Sequence, residues 1–188
     1  IPGGTGDRVL SQLLRELCGI FDDDSRPSIE HKIETATLIA AQCNLGRSGP
    51  LGVPASELQR YLSEQVASLL LHGGESLPAE RIRDAVLLLL RAECQHRSVL
   101  VILEDLHWAD NLTIGVLDSV LRDLADEPLL LIALARPELY TAYPRLWAGR
   151  RVRNLRLNAL SLEESKALLQ LLLGTDVPDR KSTRLNSS

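Results

Sequence analysis

The chain has 188 residues, of which 45% are hydrophobic, 3% aromatic and 24% charged, with a net charge of −4. That is enough for one domain whose core is built from Leu, Ile, Val and Ala rather than rings. An acidic balance without a long basic run argues against nucleic acid as the main ligand, because phosphate binding needs clustered Lys and Arg.

The first predicted element is a helix over residues 7–20, with Val9, Leu10, Leu13, Leu14 and Leu17 on one face and Gly19 ending it. After the loop FDDDSRP, Pro27 opens a second helix that runs to about Cys43. The Gly/Pro-rich stretch from Asn44 to Pro54 is a break, and a third helix covers about residues 55–71. Pro78 begins a fourth, whose apolar face includes Ile82, Ala85, Val86 and Leu89. Its run AVLLLL, Ala85 to Leu90, is the longest apolar stretch and far too short to span a bilayer.

The pattern then changes. Val99 to Leu103 is a continuous aliphatic run, as expected of a strand buried on both faces of a parallel sheet. A helix after HWAD carries Leu112, Val116, Leu117, Val120, Leu121 and Leu124 on one side. Leu129 to Leu134 is a second buried strand, and YTAYPRLWAGR a loop with a short helix. Val152 to Leu157 is expected as a third, shorter strand. Ser161 and Glu164 form a capping box for a last helix ending near Gly174. Strands alternating with helices from residue 98 onward point to an α/β fold with a parallel sheet behind a helical N-terminal half.

Cys18, Cys43 and Cys94 are odd in number and widely spaced, with no CxxC pair, so each is expected to be a small buried hydrophobe in a reducing, cytoplasmic setting. CQH, Cys94 to His96, holds two metal-ligand types but has no second half in the sequence. The richest basic patch, Gly149 to Arg156, is expected as a solvated loop and strand edge. No signal peptide is visible, and the chain does not begin with Met, so Ile1 is not read as a native start.

Glu104 and Asp105 follow the first strand directly. Ligands of open parallel sheets bind beyond the carboxyl ends of the strands, and an aliphatic strand followed by an acid pair has the form of a Walker B segment. One carboxylate of such a pair holds Mg²⁺ beside nucleotide phosphates, and the other orients or deprotonates the attacking water. The alternative is a pair of polar residues where the strand surfaces. Arg136 lies just past the second strand, where a guanidinium could read a γ-phosphate bidentately, or simply cap the strand end.

VLVILEDLHWAD, then LLLIALARPEL, then LRLNALSLEESKALLQLLLG resembles the ATPase domain of bacterial STAND-type signalling proteins within the AAA+ class. The same combination occurs in the ATPase modules of LuxR-type regulators, cyclase-linked ATPases and multidomain Ser/Thr kinases, and the stretch from Ala133 to Leu157 is most similar to the kinase-linked forms. The resemblance covers roughly residues 7–175 and is specific over 98–173. It implies a partial P-loop NTPase fold over residues 1–178, with Glu104 at the Walker B Mg²⁺ position, Asp105 at the catalytic-carboxylate position and Arg136 as an ATP-contacting sensor. Trp108 belongs to the family's HWAD signature, as a residue packed under the site or as a ligand contact. ATP and Mg²⁺ are the implied cofactors of the intact parent. Its neighbouring kinase, cyclase, helix-turn-helix or helical-repeat domains are the implied partners, with no membrane and no direct nucleic-acid contact.

One element is missing from the sequence. A P-loop needs G-x-x-x-x-G-K-[ST], whose backbone cradles phosphate while the Lys reaches the β/γ oxygens. The glycines of GGTGDR, Gly3 to Arg8, lack both Lys and a following Ser or Thr, and none of the three lysines, Lys32, Lys166 and Lys181, follows a glycine loop. The expectation is a fragment that begins after the P-loop. The last ten residues, 179–188, resemble a short-read sequencing adaptor translated in frame, and are expected to be an artefact or else a natural polar tail. The functional expectation is a piece of an ATP-binding, ATP-hydrolysing signalling switch with its Walker B half present. The alternatives are a non-catalytic scaffold with a degenerate NTPase fold and a metal-dependent hydrolase using Glu104, Asp105, His107 and Asp110.

Overall fold

The computed structural model describes residues 6–44, 53–72 and 77–173. The GGTGDR glycines Gly3 and Gly4, the middle of the Asn44–Pro54 break and the 179–188 tail lie outside them. Four helices come first: α1 (Gly6–Leu17), α2 (Arg26–Asn44), α3 (Ala55–His72) and α4 (Ala79–His96). Then follow β1 (Val99–Leu103), a 3-10 turn (Leu106–Trp108), α5 (Asn111–Asp123), β2 (Leu129–Ala133), α6 (Glu138–Ala142) and α7 (Leu162–Leu173). The chain divides into two compact units, the first ending at Arg151 and the second starting at Val152.

The punctuation expected from Gly and Pro holds. Gly19 adopts φ +65°, and the Ile20 N–H reaches back to the Arg15 carbonyl at 2.8 Å while the Gly19 N–H reaches Glu16 at 3.1 Å. This Schellman-type closure satisfies the last carbonyls of α1. Pro78 stands at the N-cap of α4. Asp24 binds the start of α2, accepting from the Phe21 N–H at 2.7 Å and the Ser28 hydroxyl at 2.9 Å, and pairing with Lys32.

The helices close one continuous core. Leu10 and Leu14 of α1, Ile33, Ala40 and Ala41 of α2, Leu62 and Val66 of α3, and Ile82, Val86, Leu89 and Leu90 of α4 are all buried in it. α2 packs on α3 and α4, and α1 crosses α3, α4 and α5. One polar side chain that enters this interior is bonded: Thr37 Oγ1 donates to the Ile33 carbonyl at 2.7 Å and lies 2.6 Å from Ser63 Oγ on α3.

β1 and β2 pair in parallel through α5, in register from Val99↔Leu129 to Leu103↔Ala133. The two expected strands are therefore present, and they are neighbours. The expectation of burial on both faces is not met. Val101 and Leu103 point into the core, whereas Leu100 and Ile102 are each 55% exposed, and their register partners Leu130 and Ile132 are exposed beside them. Side chains alternate across a strand, so within the first unit the helices cover one face of the sheet and leave the apolar side chains of the other exposed. The described fold is mixed α/β, mostly helical, with a two-stranded parallel sheet.

The third expected strand is also corrected. Residues 151–161 form no strand, and Leu155 and Leu157 are exposed. A β pattern becomes a strand only when a ladder partner satisfies its backbone. In the second unit, the capping box at the start of α7 forms as expected. The Ser161 N–H donates to Glu164 Oε2 at 2.7 Å, and the Glu164 N–H donates to Ser161 Oγ at 3.2 Å. These bonds, with the backbone one first, hold the Glu164 carboxyl below its ordinary range.

Candidate functional site

The sheet brings the predicted site residues to one end. Leu103 and Ala133 are the last register pair; Glu104 and Asp105 follow the first, and Arg136 comes three residues after the second. Pairing does not stop at the strand ends. The Leu134 N–H donates to the Leu103 carbonyl at 2.8 Å, and the Leu134 carbonyl accepts from the Leu106 N–H at 3.0 Å. Glu104 and Asp105 are thus a two-residue loop with both of its flanks bonded to Leu134. Asp105 takes up the reversal with φ 52° and ψ 35°. Asp adopts this left-handed region more readily than most residues because its short carboxylate can bond locally. The loop turns both acids to solvent.

His107 sits behind them, its side chain only 6% exposed. Its Nδ1 accepts a long bond from the Arg136 backbone N–H at 3.5 Å and lies 3.9 Å from Asp105 Oδ1. With Nδ1 accepting, the neutral ring carries its proton on Nε2, which is buried without a partner among the described residues. His107 therefore joins the backbone after β2 to the acid after β1. Sequence reasoning placed His107 only in a metal-hydrolase alternative. The one signal available was its position two residues after Asp105, and only the 3-10 turn shows that this spacing folds the ring back under the acid.

Trp108 is exposed, its ring 5.0 Å from that of His107. It does not pack beneath the acids, which corrects that half of the reading. Asp110 serves as the N-cap of α5, its Oδ1 accepting from the Thr113 N–H at 2.8 Å. Arg136 exposes its side chain past the end of β2. A groove of about 750 Å³ runs beside β1, lined by residues that include Leu13 and Leu17 of α1, Leu100, Ile102 and Glu104. The basic patch is partly committed to structure. Arg150 makes a two-pronged contact with Asp118 on α5, at 2.9 and 2.7 Å, and this holds the Asp118 carboxyl below its ordinary range.

Magnesium, which the resemblance implies, takes oxygen ligands and is commonly held by one or two carboxylates, with water and substrate phosphate completing its shell. The strand end offers that donor set and no more. Among the described residues, no group of three or more His, Cys, Asp or Glu side chains could hold a metal. Glu104 and Asp105 therefore fit a cation shared with phosphate, not a protein-only centre, and the metal-hydrolase alternative gains no support. Compared with protein-family models, curated proteins and solved structures, the chain matches none. Among the described residues no helix is long and apolar enough to cross a membrane.

Proposed function

We propose that this chain carries the metal- and water-holding half of an ATP site, in a switch module of a multidomain bacterial signalling protein. The observation that supports this reading is the convergence at one sheet end. An acid pair follows β1, an arginine follows its parallel neighbour β2, and His107 ties the two chain segments together. Glu104 would hold Mg²⁺, which when bound offsets phosphate charge. Asp105 would orient or deprotonate the attacking water, and Arg136 would read the γ-phosphate. The cradle for the phosphates is absent from this sequence. In the parent, nucleotide state would bias the arrangement of neighbouring kinase, cyclase or helix-turn-helix domains in the cytoplasm.

Titration of the full chain with a fluorescent ATP analogue and Mg²⁺ tests the reading. The expected result is weak binding, with a dissociation constant above about 100 µM, that is lost in Glu104→Gln and in Arg136→Ala. Sub-micromolar binding would show that the site is complete without a P-loop. A non-catalytic scaffold with a degenerate NTPase fold is the second reading, favoured by the uncovered apolar face of the sheet. It predicts binding, if any, that is indifferent to both substitutions.

A further inference from the structure

Away from the strand ends, the last turns of α2 and α4 bring a thiol and an imidazole together. Cys43 Sγ lies 3.4 Å from His96 Nε2, between residues 53 positions apart in sequence. The pair is held by packed helices. The neighbouring Gln95 side chain donates to the Cys43 carbonyl at 3.1 Å, and Asn44 Nδ2 donates across to the Leu88 carbonyl at 3.1 Å. Cys43 is only partly buried and His96 is exposed, so a small reagent and a departing proton both have access.

The other two cysteines differ. Cys18 and Cys94 are both buried. Burial, reinforced by the Glu93 carboxylate, pushes the Cys18 thiol up to about 12. Burial, with Glu127 and Glu93 secondary, pushes Cys94 upward too. The thiolate is the nucleophile, so these two are inert. His96 lies in the last turn of α4, within reach of the Cys43 thiol.

We infer that Cys43 is a modification site for small disulfides, with His96 as the base that activates it. The Cys43 proton passes to His96 Nε2. The resulting thiolate attacks one sulfur of the disulfide, and a new S–S bond forms as the old one breaks. The leaving thiolate takes up a proton from the imidazolium or from water. Cys43 is oxidised to the mixed disulfide, and the departing half of the reagent is reduced by the same electron pair. Among the described residues no third ligand joins the pair, so the arrangement suits a nucleophile rather than a metal.

The test treats the full chain with 4,4′-dithiodipyridine and follows each cysteine by mass spectrometry. Cys43 is expected to react at least about tenfold faster than Cys18 and Cys94. Cys43→Ser should remove the fast phase, and His96→Asn should slow Cys43 about tenfold while leaving the other two unchanged. The buried cysteines serve as an internal control, because a variant that merely loosened the helices would speed all three. That outcome, a Cys43 rate indifferent to His96, or a fast phase surviving in Cys43→Ser would each overturn the inference.

Discussion

α4 and β1 are adjacent in the chain and each carries an unbroken aliphatic run, yet the fold treats the two runs differently. In α4, Ala85, Val86, Leu87, Leu89 and Leu90 are all buried, because α2, α3, α1 and α5 surround the helix. In β1, alternate residues face the core, and Leu100 and Ile102 face outward beside Leu130 and Ile132. An unbroken apolar run records what a segment can bury. How much it does bury depends on how many layers the rest of the chain supplies.

The comparison is sharpest at single side chains. Leu90→Ala removes a side chain enclosed on all sides, and is expected to cost about 2–5 kcal/mol in urea unfolding. Ile102→Ala trims a residue already half in water, and should cost under about 1 kcal/mol. Equal losses would break the contrast and show that β1 is covered in solution. Next in size is the cap beyond the strand end. Asp110→Ala should cost about 1 kcal/mol by freeing the Thr113 N–H at the start of α5, as read from the same unfolding curves.

The smallest effect concerns acid. The Lys32 ammonium, followed by the Phe21 N–H, holds the Asp24 carboxyl at about 2 against the ordinary 3.8. A depressed folded-state value means that the contribution is complete above the unfolded value and is lost as the pH falls from about 4 towards 2. The unfolding midpoints of wild type and Asp24→Asn should therefore differ at neutral pH and converge towards pH 2. A gap that persisted there would place the stabilisation elsewhere.

Local features were legible in the sequence because their causes are local. Gly19, Pro27, Pro78 and the Ser161–Glu164 box each mark a helix end through their own backbone or side-chain chemistry. The two strands and the acids at the end of the first were legible from an aliphatic run meeting charge. What escaped were properties supplied by distant residues. The open face of β1 and β2 depends on which elements are there to cover it. Val152 to Leu157 had strand composition but forms no strand. The contact between His107 and the backbone of Arg136, and that between Cys43 and His96, join segments far apart in sequence, and no pattern within a single segment encodes them.

Leu134 has one more consequence, in the domain of motion. Its N–H and its carbonyl hold the two flanks of the Glu104–Asp105 loop, so neither acid can swing away while both bonds last. Opening that loop is then one cooperative event, and the amide protons of Leu134 and Leu106 should exchange with solvent at a common opening free energy. The acid pair moves as a unit or not at all, which lets a two-residue loop, facing water, keep the fixed bearing of the strand behind it.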